Sequence, residues 1–330
     1  MMKRAVRLLS SIAIIALLPL MAHAQAELNH AFLWTQADGM QDLGTIPGWQ
    51  NSIAYAISDS GEVVGYDSNT AGNVTAFRWT VKAGMQHLPG ASMTWSVAVA
   101  VNNSGDVAGG YYPTGTTTSR GFIWTQAAGF QDIGTLGGST TGVGGMNRSA
   151  EIVGSSETSS GVEHGFLWTQ GGGMQDLGTF MPISVNDAGL IVGYTLAKNG
   201  DALAALWNKG RISLLGPPGE PSGINNIGQV AGVETTPHTT EQAFIWNPGG
   251  GGTQLLPLLP GATASFGQGI NNAGEVAGWN FPPTGDSDYQ AFIWTPTGGT
   301  QNIGNLGGIY GAQAWAINDS GQVVGSSTIQ

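Results

Sequence analysis

The chain reads as an all-β protein: seven four-stranded antiparallel blades set in a ring, closed by pairing of its N- and C-terminal strands. Three observations predict this. A motif built on Phe-x-Trp recurs from Ala31-Phe32-Leu33-Trp34-Thr35 to Ala291-Phe292-Ile293-Trp294-Thr295. Its seven tryptophans (Trp34, Trp79, Trp124, Trp168, Trp207, Trp246 and Trp294) lie 39–48 residues apart, a period that marks a repeat architecture. Each repeat also holds four short apolar segments bounded by turn residues, none with the spacing of a helix. Four antiparallel strands per repeat is the pattern of a β-propeller blade. A parallel β-helix would need shorter coils without hairpins, and independent domains would need more residues per unit.

The first 24 residues stand apart from the repeats. Lys3, Arg4 and Arg7 precede an apolar run from Leu8 to Met21, and Ala22-His23-Ala24 has the form of a cleavage site. This is the layout of a secretory signal peptide, and the apolar run is short for a membrane span. Cleavage there leaves residues 25–330 as a seven-repeat domain, secreted to the periplasm or the cell exterior, with no membrane span.

Composition narrows the chemistry. The chain has no cysteine, which excludes disulfides, thiol catalysis and thiolate metal sites. Its 21 acidic residues outnumber 10 basic ones, of which three belong to the leader. A phosphate-holding basic surface is therefore not expected, and neither nucleic acid nor an anionic membrane is an expected partner. Fifty-four glycines and 9% charged residues suit strands buried on both faces and joined by tight turns.

Residues 52–88 illustrate one repeat. Strand A is SIAYAI, strand B EVVGY, strand C AFRWT and strand D MQHL. The A–B turn is the sharpest local signal. It reads Ser58-Asp59-Ser60-Gly61, then Asn102-Asn103-Ser104-Gly105, and so on to Asn318-Asp319-Ser320-Gly321. The opening Asn or Ser can bond the backbone two residues on, and the fourth residue needs positive φ, as in a type I turn with a G1 bulge. Ala150 takes that fourth place in one repeat, at an expected cost of about 1 kcal/mol. With at most one carboxylate each, these turns lack the ligands of a calcium loop. Strand B carries a glycine in every copy, from Gly65 to Gly325, which signals a bulge or a close backbone approach. Strand C, nearly unbroken in its apolar run, fits a strand covered on both sides. Strand D is more polar and suits an outer edge.

The chain opens on strands C and D and ends on strands A and B. With A innermost, the last A–B pair joins the first C–D pair in one sheet.

The repeated H/x-A-F-x-W, G-x-x-x-[DN]-[LI]-G and I-N-[DN]-x-G-x-V-x-G pattern resembles the HAF-repeat family of bacterial extracellular proteins. The resemblance covers residues 30–330. His30-Ala31-Phe32 carries the name motif whole, and His164-Gly165-Phe166 nearly so; Ala205 replaces the phenylalanine in the fifth repeat. The resemblance implies secretion and a repeat fold. It implies no activity, so no catalytic residue is carried over.

Strand parity places function. The A–B and C–D turns share one end and are short and repetitive. The B–C loops and D–A links share the other end and vary, which makes that face the candidate binding surface. Aromatic residues outside the repeat motif point the same way: Trp49, Trp95 and Tyr310 on D–A links, and Tyr111, Tyr112, Trp279 and Tyr289 flanking B–C loops. Exposed aromatic planes suit sugar rings or extended polymers. The candidate ligand-binding residues are therefore Trp49, Trp95, Tyr111, Tyr112, Trp279 and Tyr310; Trp315, inside strand A, reads as core.

No catalytic residue, metal site or cofactor is expected. The chain has no H-E-x-x-H, G-x-S-x-G or P-loop motif. His30 and His164 share one repeat position and read as strand starts. His238, near Glu234 and Glu241, and the pair Asp286 and Asp288 read as polar loops. The expectation is a non-enzymatic secreted propeller binding an extracellular glycan or protein. The alternatives are a polysaccharide lyase or hydrolase on the same face, and a structural or adhesive surface protein.

Overall fold

The computed structural model describes residues 28–89, 95–198, 200, 202–216, 219–234, 241–282 and 288–330. The proposed leader, His238 and Asp286 lie outside the described residues. The described chain forms 28 strands, grouped as seven antiparallel blades of four. Blade 1 takes strand A from Gly307–Ile317, B from Val323–Ile329, C from Asn29–Thr35 and D from Gly39–Gly44. Its B and C strands pair from Asn29↔Thr328 to Trp34↔Val323, so the two ends of the chain close the ring by strand pairing. Blade 2 runs in simple order: Asn51–Ile57, Val63–Ser68, Val74–Thr80 and Gly84–His87. Blades 3 to 7 follow alike, spanning 95–132, 137–176, 181–214, 219–255 and 264–302. One parallel bridge, Val74↔Trp95, links blades 2 and 3. The A strands of successive blades contact one another all the way round, which sets them at the axis.

Packing between blades follows from strand C. Phe32 and Trp34 of blade 1 face Ala277, Ala291 and Ile293 of blade 7. On the other side of the same strand, Ala31 and Leu33 face Phe77, Val63 and Ile57 of blade 2. The same arrangement at every junction gives seven hydrophobic clusters, one per pair of neighbours. Each fully buried phenylalanine contributes about 2–3 kcal/mol of transfer free energy.

The strand-B glycine is a close approach, and the bulge lies opposite it. A Cβ at Gly65 would sit 1.8 Å from the carbonyl oxygen of Ile53, and at Gly278 1.9 Å from that of Phe266. Strand A kinks at that level: the register slips between Ala54 and Ala56, and likewise between Ala314 and Ala316. Tyr55 and Trp315 are thus bulged residues of adjacent A strands, with ring centroids 5.4 Å apart. On the other side of the glycine the strand-C phenylalanine fills the space, as Phe292 does at Gly278.

Blade 5 lacks that phenylalanine. Ala205 stands in its place, and Phe180, from the preceding D–A link, is 1% exposed in the same cluster. Phe180 supplies the aromatic bulk that Ala205 does not. Phe180→Ala should therefore cost about 3–5 kcal/mol, and Ala205→Phe should recover part of that loss in the double variant although it overpacks the wild type. Chemical denaturation of the four proteins measures the coupling; strictly additive costs would refute the substitution of one ring for the other.

The turns behave as the sequence requires. The Gly61 N–H donates to the Ser58 carbonyl at 3.0 Å, with Gly61 at φ 80°. Ala150 holds φ 58°, a left-handed conformation that favours glycine. Ala150→Gly should raise stability by about 1 kcal/mol, read as a higher denaturation midpoint; a lower midpoint would mean the methyl group packs usefully.

Candidate functional site

The turn end of the ring is held by one hydrogen-bonded circuit. In most blades an asparagine opens the A–B turn: Asn102, Asn147, Asn186, Asn225, Asn271 and Asn318, with Ser58 in blade 2. Each asparagine is buried. Its Nδ2 donates to a carbonyl of the next blade's turn at 2.9–3.3 Å. Ser58 has no such donor, so that inter-blade link is missing between blades 2 and 3. The next turn residue makes a second circuit. The Asp187 N–H donates to Asn226 Oδ1 at 2.9 Å, Asn226 to Asn272 and Asn272 to Asp319 at 2.8 Å, and Asp319 to Asp59 at 3.0 Å. Arg148 interrupts this circuit because it offers no side-chain oxygen. Its guanidinium instead lies 3.6 Å from Asp59 and 3.9 Å from Asp187, over a cavity of about 210 Å³ at the axis.

The loop end carries the sequence-predicted residues. Trp95, first in strand A of blade 3, stacks on Tyr112, last in strand B, with centroids 4.6 Å apart and planes at 23°. Both rings are half-buried. Trp49 is half-buried and meets His87 edge-on at 4.7 Å. Tyr310 is exposed. Tyr111 is buried, with its rings edge-on to Phe122 and Phe130, and its hydroxyl donates to Asp132 at 2.6 Å. Burial, with Asp132 adding to it, pushes that hydroxyl up to about 12. Trp279 is buried between Phe266 and Trp315, at 5.7 and 4.7 Å. The structure thus brings Trp95 and Tyr112 together at the rim and sets Tyr111 and Trp279 in packed interiors. Trp315 lies beside Trp279 and is half-buried.

Two kinds of polar group escaped the sequence reading. The first is the strand C–D pair. His30 bonds Asp42 at 2.9 Å, His164 bonds Asp176 at 2.9 Å, and Arg120 bonds Asp132 at 2.8 Å. A constant 12-residue separation was the available signal. The carboxylate also accepts the N–H of the glycine two residues on, as Asp42 does from Gly44 at 2.7 Å, which explains the D-L-G motif as an Asx turn. Burial alone would raise the Asp176 carboxyl, but hydrogen bonds from His164 and the Gly178 N–H hold it below its ordinary value. Among the described residues, no three His, Asp or Glu side chains are placed to hold a metal.

The second is Asp67, near the end of strand B in blade 2 and fully buried. Its Oδ2 accepts the Ile46 N–H at 3.0 Å, tying down the D–A link that carries Trp49. The same strand position does this elsewhere: Ser156 accepts from Leu136, and Ser327 from Leu306. Blade 2 alone uses an ionisable group there among these. His87 Nε2 lies 3.8 Å from Asp67 Oδ2, and both Asp67 Oδ1 and His87 Nε2 are buried without a partner among the described residues. Burial raises the Asp67 carboxyl to about 6, against smaller lowering effects of the Ile46 N–H and His30. Burial also lowers the His87 imidazole below its ordinary value.

No family model matches the chain, and no curated protein matches it. Solved structures do match in fold. An oligogalacturonate lyase from Vibrio parahaemolyticus aligns over 91% of this chain and 96% of its own, at TM-score 0.57 and 10% identity. A protein assigned as TolB in Agrobacterium tumefaciens aligns over 93% and 100%, at TM-score 0.54 and 8% identity. An acylaminoacyl peptidase from Pyrococcus horikoshii aligns over 76% of this chain and 45% of its own, at TM-score 0.53 and 12% identity. At these identities the likeness is one of fold: the protein is a β-propeller.

Asp67 links stability to pH with a definite sign. Its folded pKa of about 6 lies above the ordinary 3.8, so the folded chain binds the proton more tightly. Stability is then lost as pH rises through that window. Asp67→Asn keeps an acceptor for the Ile46 N–H and removes the charge. Its advantage over the wild type should grow from near zero at pH 4 to about 2 kcal/mol at pH 7, measured by denaturation at each pH. A pH-independent difference would contradict the raised carboxyl.

Proposed function

We propose that the mature chain is a secreted, non-enzymatic propeller that binds a ligand on its B–C/D–A face, with carbohydrate the leading ligand class. The observation that carries this is the Trp95–Tyr112 stack, two half-buried aromatic rings at 4.6 Å on the loop rim. Such a platform offers apolar contact to a sugar ring with few hydrogen-bond demands. The acidic composition disfavours polyanions. The resemblance to the HAF-repeat pattern and the leader-like N-terminus support secretion, to the periplasm or the cell exterior. A protein partner on the same face is the non-carbohydrate form of this reading.

A second reading, an extracellular lyase or hydrolase acting on polysaccharide, draws on one observation. Asp67 and His87 leave a carboxylate oxygen and an imidazole nitrogen unpaired beside Trp49, and paired acid–base groups of this kind can serve proton transfer.

A glycan array probed with residues 25–330 tests both. The first reading expects selective binding that weakens by about tenfold or more in Trp95→Ala without loss of thermal stability. Binding to no glycan and no extracellular protein would sink it. Release of soluble sugar from an array glycan, abolished by His87→Gln, would decide for the second.

A further inference from the structure

We infer that the groove between blades 4 and 5, on the A–B/C–D turn end, is a separate site for an uncharged pyranose ring. The ligand class rests on the carbohydrate reading above; the place does not, since it lies on the opposite face. The groove is open to solvent and has a volume of about 540 Å³, within the range of small-ligand pockets. Leu167 and Trp207, from the C strands of blades 4 and 5, line it with the apolar edge they keep outside the core, Trp207 being 8% exposed, and Glu151, Gln175, Asp187 and Lys209 line it with polar groups. An apolar floor with donors and acceptors around it matches a sugar ring, which has apolar faces and a rim of hydroxyls.

The free valences are suited to that rim. Glu151 Oε2 takes a hydrogen bond from Asn147 Nδ2 at 2.6 Å, which leaves Oε1 to accept from a ligand. Asp187 is already engaged, accepting from the Arg148 N–H at 2.9 Å and from Asn226 Nδ2 at 2.8 Å. Lys209 makes no ion pair among the described residues, so its ammonium remains a donor. Glu151 and Lys209 cancel in charge, and the Arg148 guanidinium, shared between Asp59 at 3.6 Å and Asp187 at 3.9 Å, offsets part of the second carboxylate. A near-neutral cavity with charged hydrogen-bonding groups favours a neutral polyol over an ion.

The groove coincides with a departure from the repeat. In blade 1, Trp34 pairs with Met40 across the C–D turn; in blade 5, Trp207 pairs with Ile212, one residue nearer. The turn is cut to Lys209-Gly210, both left-handed, at φ 47° and 89°, the form of a two-residue hairpin loop that favours Asn or Gly at its first place. A lysine there is strained, and such strain concentrates at functional sites. The shortened turn carries Lys209, unpaired among the described residues, on its tip.

The indole N–H signals in a ¹H–¹⁵N spectrum read both faces in one titration, with Trp207→Phe and Trp95→Phe assigning the two peaks. Methyl glucoside, galactose and N-acetylglucosamine are the probes. At least one should shift the Trp207 signal, and Lys209→Gly should weaken that binding about tenfold. Glycine suits the positive φ, so this variant should fold at least as stably as the wild type. A Trp207 signal unmoved by every probe overturns the inference, and so does a shift that Lys209→Gly leaves unchanged. A response confined to Trp95 rejects the groove and supports the loop-face reading; a response confined to Trp207 does the reverse.

Discussion

In six of the seven blades one asparagine side chain joins the local turn to the closed ring. Asn225 shows how. Its Oδ1 accepts the Gln229 N–H at 2.8 Å, its Nδ2 donates to Gln229 Oε1 at 2.8 Å, and the same Nδ2 donates to the Asn271 carbonyl at 2.9 Å. No other side chain of that length has an acceptor and two donors on one planar group. The residue is buried, so a lost partner would leave a desolvated polar atom at a cost of about 1–3 kcal/mol. Each buried amide is therefore fully satisfied only with its neighbour's carbonyl in place. Blade 2 shows what happens without it. The Ser58 side chain makes no bond to blade 3, and there Arg78 forms an ion pair with Glu62 at 2.8 Å while lying 5.1 Å from the centre of the Trp124 ring of blade 3. The turns of blades 2 and 3 stay joined through the next residue, the Asp59 N–H donating to Asn103 Oδ1 at 2.9 Å and Asn103 Nδ2 to Asp59 Oδ2 at 2.7 Å.

The ring was legible in the sequence because its causes are periodic. A turn that needs an Asx opener and a left-handed fourth residue must spell both out in each repeat. A strand pinched between a bulge and a phenylalanine must carry glycine each time. Compensation was not legible, because it is written once. Nothing in the sequence around Phe180 says that its ring fills the space vacated at Ala205, since the two are joined only by the packing of blades 4 and 5. The His30–Asp42 and His164–Asp176 pairs occupied a middle ground. Their spacing repeats, but reading it required knowing that strands C and D pair with Phe opposite Asp, as Phe32↔Asp42.

The candidate site was legible only where a ring sits at a strand end facing out. Trp95 and Tyr112 are cross-strand partners, so their stacking follows from register alone. Tyr111 is one residue away and points to the other side of the strand, where it meets Phe122 and Asp132. The period of two separates a platform residue from a core residue, and loop proximity on its own does not. Trp279 fails the same distinction: it lies against the bulged Trp315, and that bulge has no sequence signature apart from the glycine opposite.

A seven-fold repeat tends to make its blades equivalent, and selectivity needs them to differ. Blade 5 differs most. It has Ala205 for phenylalanine, Leu190 in the turn position where other blades place Glu, Asp or Gln, a shortened C–D turn at Lys209, and a strand D, Arg211–Leu214, exposed along its whole length. These changes sit on a frame whose turns are already fixed by the asparagine circuit. Side chains such as Glu151 and Asp187 are held by bonds to Asn147 and Asn226 before any ligand arrives, so little ordering would remain to oppose binding. The loop end is built otherwise: its connectors vary in sequence, and its D–A links are tied one by one to strand B, as Ile46 is to Asp67 and Leu136 to Ser156. A turn end with one irregular blade and a variable end with an aromatic platform are therefore two physically different surfaces, carried by one ring that closes by pairing its terminal strands.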